Sequence, residues 1–127
     1  MTRILVVDDN ASVRTTARAL LEAAGYEVVE AESGAAALRT LSSEAVEAVV
    51  TDIFMPDTDG IELIHALHRQ SPDLPVVAMS GGGYDDGKDV LAVARLFGAV
   101  QIVQKPLTQR KLVGAIRRAL APPRDGS

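Results

Sequence analysis

The sequence predicts an α/β domain built as (βα)5, a doubly wound parallel sheet of five strands with helices on both faces. Three observations carry that prediction. Short runs rich in Val and Ile recur at near-regular intervals, segments with helical apolar spacing separate them, and the alternation is strict with short loops. Such runs suit strands buried on both sides by flanking helices.

The strands are read at ILVV (4–7), EVVE (27–30), AVEAVV (45–50), PVVAM (75–79) and AVQIVQ (99–104). The first helix carries Val13, Ala17, Leu20, Leu21 and Ala24 on one face and ends at Gly25. Ala37, Leu38 and Leu41 mark the second, behind a cap at Ser33. Ile61, Ile64 and Leu67 mark the third, with Pro72 beyond its end. Val90, Leu91, Ala94 and Phe97 mark a fourth, closed by Gly98. Leu112, Ala115, Ile116, Ala119 and Leu120 mark a fifth, capped by Thr108. The expected organisation is one domain over 1–121, followed by a tail or the start of a linker at 122–127.

Composition narrows the function classes. The 127 residues include no cysteine, so disulfides and thiolate metal sites are excluded. No apolar stretch approaches a membrane span or a signal peptide, and a cytoplasmic protein is expected. The net charge of −4 argues against nucleic-acid binding. That charge is unevenly spread. Beyond Asp89 the only acid is Asp125, whereas Arg95, Lys105, Arg110, Lys111, Arg117, Arg118 and Arg124 all lie there. Such a run reads as a solvated helix face, or as a surface for an acidic partner.

In open parallel sheets, functional groups gather at the carboxyl ends of the strands. The first strand runs into Asp8 and Asp9, and the third into Asp52. If these strands are neighbours, as in the order 2-1-3-4-5, three carboxylates meet. Their mutual repulsion calls for a cation. An oxygen-only set suits Mg²⁺. The fourth strand leads to Ser80 and the fifth to Lys105-Pro106. Acids, a hydroxyl and an ammonium on one edge suit phosphoryl transfer to a carboxylate. Each residue alone has an ordinary reading as a turn former, a cap or a surface charge. The combination on four strand ends is what points to chemistry.

Asp8-Asp9, the D-x-x-M-P-x-x-D-G stretch at 52–60, Ser80 and Lys105-Pro106 together resemble the receiver domain of two-component response regulators, of the chemotaxis-Y-like kind. The likeness covers about residues 3–121. It implies a flavodoxin-like fold with strand order 2-1-3-4-5 and a phosphorylation-dependent switch in a two-component or phosphorelay system. Asp52 would be the phosphoacceptor. Asp9, Asp52 and the Phe54 carbonyl would bind Mg²⁺ directly, and Asp8 mainly through water. Lys105 and Ser80 would hold phosphoryl oxygens, and the bond to Pro106 would be cis. The implied partners are a sensor histidine kinase or histidine phosphotransfer protein and a downstream protein target, the domain itself being a monomer or weak dimer that contacts neither nucleic acid nor membrane. No independent metabolic activity is implied beyond the transfer to Asp52 and its slow reversal by water. An alternative is a receiver cut from a longer regulator with an output domain.

Two departures stand out. The family's strand-five aromatic, three residues before the lysine, is replaced by Ile102, which cannot make the ring movement of the usual switch. The hydroxyl is followed by Gly81, Gly82 and Gly83, which read as a flexible connection before the fourth helix or, more sharply, as a loop whose ordering, with Tyr84 as the moving group, is an alternative switch. Phe54 and Gly82 offer no side-chain polar group to position water, so they should not shorten a phosphoryl lifetime. Phe54 also argues against a haloacid-dehalogenase-type phosphatase, which needs an acid two residues after its nucleophile. A flavodoxin-type cofactor binder lacks its hydroxyl-rich loop here, because DDNASVRTT supplies acids. A receiver that is never phosphorylated finds no support in the intact acid, hydroxyl and lysine set. His65 and His68, spaced i, i+3, read as surface residues and not as a metal pair.

Overall fold

The computed structural model describes residues 2–53, 60–81 and 99–121. Its strands are β1 (Arg3–Val7), β2 (Glu27–Ala31), β3 (Ala48–Asp52), β4 (Val76–Ser80) and β5 (Ala99–Gln104). The described helices are α1 (Ala11–Ala23), α2 (Gly34–Ser43), α3 (Gly60–Gln70) and α4 (Gln109–Leu120). The helix expected around Val90–Phe97 lies outside the described residues.

All five strands are parallel, in the order β2-β1-β3-β4-β5. The topology therefore makes β1 and β3 neighbours, and Val7 pairs with Thr51. Period-two alternation splits the apolar residues between two cores. Ile4, Val6, Val50, Val77, Met79 and Val103 pack under α1 and α4, against Ala17, Leu21, Leu112 and Ile116. Leu5, Val7, Val49 and Ala78 face the other way, against Ala37 of α2 and Leu63, Ile64 and Leu67 of α3. With both faces covered, the middle strands are buried along their whole length.

Four of the five strands shift by one to three residues at an end relative to the sequence reading, and two of these shifts have a clear cause. β3 begins at Ala48 and not at Ala45, because its partner β1 offers Ile4 opposite Ala48 and starts only one residue earlier. β4 begins after Pro75, which has no N–H for the ladder, although its carbonyl still accepts from Val49 N at 3.0 Å.

The helix punctuation follows local chemistry. Ser33 Oγ accepts from Ala36 N, and Thr108 Oγ1 from Lys111 N. Gly25 sits at φ +95°, the left-handed conformation that ends α1. The Asn10 side chain caps α1 through the Ser12 and Val13 amides. The basic residues Arg110, Lys111, Arg117 and Arg118 lie exposed on α4, opposite its buried Leu112, Val113, Ala115 and Ile116. Arg117 and Arg118 complement the partial negative charge of the helix end. Among the described residues, no helix is long and apolar enough to cross a membrane.

Candidate functional site

Parallel pairing brings the carboxyl ends of β1, β3, β4 and β5 to one edge of the sheet. Asp8 follows β1, Asp52 and Ser80 are the last residues of β3 and β4, and Lys105 follows β5. Asp8 and Ser80 are fully buried, Asp52 is 6% exposed, and Asp9 is exposed. Carboxylate oxygens of Asp8, Asp9 and Asp52 lie within 4.8 Å of one another. Among the described residues this is the one group of three or more acids or histidines with that geometry. His65 and His68 are exposed on α3 and belong to no such group.

Asp8 is held from several sides. Its N–H donates to Ala31 O of β2 at 3.2 Å. Its Oδ1 accepts from Asn10 N at 2.9 Å, closing a tight turn into α1. Its Oδ2 meets Lys105 Nζ at 2.9 Å. Lys105 Nζ also stands 3.5 Å from Asp52 Oδ1, so one ammonium bridges two buried acids. Its backbone is fixed too, because Lys105 N donates to Ser80 O at 2.8 Å and the Lys105–Pro106 peptide is cis.

One lysine against three carboxylates leaves the cluster net negative. Buried like charges at this spacing repel one another unless a cation is shared between them. The donors are all oxygen, which suits a hard divalent cation and not a soft one. Ser80 Oγ adds a second sign of incompleteness, being buried without a hydrogen-bond partner in the protein. Buried hydroxyls are normally satisfied, so an orphan beside an acid cluster marks a place prepared for an acceptor. The edge thus presents buried carboxylates, an ammonium and a spare donor, a set whose chemistry suits phosphoryl transfer to a carboxylate.

Ile102 lies on β5 opposite Ala78, partly buried against the core under α2 and α3. Phe54, Tyr84 and Gly82, with their expected roles, lie outside the described residues, as do Met55, Pro56, Asp57 and Asp59.

Two residues of this neighbourhood escaped the sequence reading. Asn10 caps α1 and turns its amide onto Asp8. Its position directly before a helical apolar pattern was the available signal. Arg14 donates from Nη1 to the Asp8 carbonyl at 2.7 Å and from Nε to Glu30 Oε1 at 3.1 Å. Glu30 also takes Arg18 Nη1 at 2.6 Å. Hydrogen bonds to Glu30 and then Glu22 raise the Arg18 guanidinium further above its ordinary value, so it remains charged. No local pattern announces this pairing, because it joins α1 to β2 across the sheet edge.

Comparison with known proteins agrees with the geometry. Residues 4–117 match the model of the response regulator receiver domain. The DNA-binding transcriptional regulator NtrC of Rhizobium meliloti is 36% identical over 95% of this chain. The transcriptional regulatory protein FixJ of Bradyrhizobium diazoefficiens is 36% identical over 92%. This chain spans 24% of the first relative's length and 56% of the second's. Among solved structures, a CheY-like response regulator receiver domain protein from Methanospirillum hungatei superposes with a TM-score of 0.85 at 28% identity, covering 94% of each chain. The chemotaxis protein CheY4 of Vibrio cholerae gives 0.84 at 28% identity, covering 94% of this chain and 99% of that one. With its fold, its edge of acids and a family match over most of its length, this chain belongs to the response regulator receiver domain family of two-component signalling.

Proposed function

We propose that the chain is a phosphorylatable switch that accepts a phosphoryl group on Asp52 from a phosphohistidine, with Mg²⁺ held by Asp8, Asp9 and Asp52. The carbonyl of Phe54 would complete the protein's share of the ligands. The carrying observation is the convergence of three carboxylates within 4.8 Å of one another, two of them, Asp8 and Asp52, paired with a single lysine. Bound Mg²⁺ would neutralise carboxylate and phosphoryl oxygens, allowing two anions to approach.

In the transfer, an Asp52 carboxylate oxygen forms a bond to phosphorus as the phosphorus–nitrogen bond of the donor breaks. The imidazole leaves with that electron pair and takes up a proton. Lys105, already 3.5 Å from Asp52, compensates the charge gained, and the Ser80 hydroxyl donates to a phosphoryl oxygen. The aspartyl phosphate carries about −1.5 to −2 charges where the carboxylate carried one, so the sheet edge gains up to about one negative charge and three strong acceptor oxygens, enough to reorganise nearby loops. With Ile102 in the strand-five position, that response runs through the loop after Ser80 and not through an aromatic ring.

The receiver unit is assigned to 1–121, with 122–127 as tail or linker. It acts in the cytoplasm, between a histidine kinase or phosphotransfer protein and a protein target, as a monomer or weak dimer. Continuation into an output domain is the second reading, favoured by the length of NtrC and FixJ relative to this chain.

The test uses acetyl phosphate with Mg²⁺. Mass spectrometry should find one base- and hydroxylamine-labile phosphoryl group on wild type and none on Asp52→Asn. Labelling that persists in the variant would move the acceptor elsewhere.

A further inference from the structure

The Asp8–Asp9 peptide is where the sheet hands over to the site. β1 ends at Val7, so the Asp8 carbonyl has left the strand ladder. It accepts instead from Arg14 Nη1 at 2.7 Å. The carboxylate of Asp8 is fixed separately, by Asn10 N and Lys105 Nζ. The carbonyl therefore sets something other than Asp8's own side chain. It sets the plane of the peptide that leads into Asp9, the exposed member of the acid cluster. Turning that plane would swing the Asp9 carboxylate relative to the two buried acids.

Arg14 is itself built in. Its side chain is 16% exposed, and its Nε is engaged by Glu30 Oε1 at 3.1 Å. Glu30 in turn is braced by Arg18, which also donates to Val28 O at 3.2 Å and pairs with Glu22. A guanidinium is a rigid planar fork, so fixing one edge on Glu30 aims the other at the carbonyl. Resting on the reading of Asp8, Asp9 and Asp52 as a Mg²⁺ site, we infer that Arg14, oriented by Glu30, is a positioning residue that clamps the Asp8–Asp9 peptide and so presents Asp9 to the cation.

The inference has a sign that plain electrostatics does not share. A positive side chain near a cation site disfavours the cation, so removing it should tighten binding if charge were its whole effect. Removing a clamp should loosen binding instead. Loss of an outer-sphere partner of a metal ligand weakens affinity by about 10-fold or more.

The experiment is a Mg²⁺ titration at fixed ionic strength, followed through the Asp9 and Asn10 amide signals by NMR, with thermal unfolding in Mg²⁺-free buffer alongside. Arg14→Gln should bind Mg²⁺ about 10-fold more weakly than wild type. Saturating Mg²⁺ should then restore its rate of labelling by acetyl phosphate. Arg18→Gln removes the same charge and the same kind of contact to Glu30 without touching Asp8, and its affinity should stay within about twofold of wild type, as expected for a screened charge further away. Arg14→Lys keeps the charge but cannot span Glu30 and the carbonyl. It should also bind more weakly, and it decides the matter if Arg14→Gln does not fold. Unchanged or tighter binding in the Arg14 variants overturns the clamp while leaving the metal site intact. A wild type that shows no Mg²⁺ response overturns the reading of the acid cluster itself.

Discussion

At both ends of the sheet one cation faces several carboxylates, yet the two ends do different things. At the amino end, Arg3 pairs with Glu27 at 3.3 Å and Glu44 at 3.9 Å, and its backbone N–H donates to Glu47. Those side chains are 31%, 48% and 45% exposed for Arg3, Glu27 and Glu44. At the carboxyl end the side chain of Lys105 is 21% exposed, while the side chains of Asp8 and Asp52 are at 0% and 8%. Exposed ions keep most of their hydration, so their pairing contributes little and is screened by salt. Buried ions lose hydration and feel one another strongly, so an excess of one sign becomes a binding force for the other. Burial, and not the count of charges, separates a surface ion cluster from a reactive site.

The sharpest way to break this comparison is to remove the buried cation. Lys105→Met leaves Asp8 and Asp52 facing each other without their shared partner. Breaking a buried ion pair costs about 3–5 kcal/mol, and the partial exposure of Lys105 reduces the expected loss to about 2–3 kcal/mol. Urea denaturation in Mg²⁺-free buffer measures it, and added Mg²⁺ should recover part of the loss. Labelling by acetyl phosphate should fall sharply even when the protein is folded. A loss below about 0.5 kcal/mol would mean that the buried acids tolerate each other without help.

The carboxyl end was also the part most legible in the sequence. Val- and Ile-rich runs separated by helical segments pointed to a parallel sheet, and with the first and third strands as neighbours Asp8, Asp52, Ser80 and Lys105 would share an edge, which the observed order bears out. What the sequence could not convey was how that edge is supported. Arg14 meets Glu30 over 16 intervening steps of chain, and its target is a backbone carbonyl, which leaves no trace in residue type. The Arg3 cluster was equally silent, since Glu27, Glu44 and Glu47 lie far from Arg3 along the chain and only folding places them around the start of β1. Strand edges were misread by up to three residues at β3 and by one at β1, β2 and β4, because pairing partners and, at β4, the missing proline N–H decide them, and apolar pattern does not.

Two smaller effects sharpen the comparison. A ligand that binds only the folded state at ten times its dissociation constant adds about 1.4 kcal/mol of stability. Mg²⁺ should therefore raise the unfolding temperature of wild type at that excess, and Asp52→Asn should lose most of the response. Calorimetry with and without Mg²⁺ reads both. Ser80→Ala removes a buried hydroxyl that has no partner in the protein. Deleting an unsatisfied polar atom should leave stability unchanged or raise it by up to about 1 kcal/mol. Its rate of labelling should nevertheless fall, because the donor for a phosphoryl oxygen is gone. A clear loss of stability in Ser80→Ala would show that the hydroxyl serves the resting fold and is not held in reserve.

The smallest effect belongs to Arg3→Met. Its carboxylate partners stay hydrated when the guanidinium is lost, and the Glu47 contact to the Arg3 backbone N–H survives the substitution. The hydrogen bond to Glu27 holds the Arg3 guanidinium above its ordinary, already high value, so the charge is present throughout the accessible pH range and only salt can weaken it. The unfolding temperature should fall slightly at low ionic strength, and the difference should vanish near 1 M salt, where the Debye length is about 3 Å. The deficit of Lys105→Met should largely persist in Mg²⁺-free buffer under the same conditions, because salt screens buried and partly buried charges much less than exposed ones. Equal salt sensitivity of the two variants would remove the distinction between the two ends of the sheet, and with it the physical reason for locating the chemistry at only one of them.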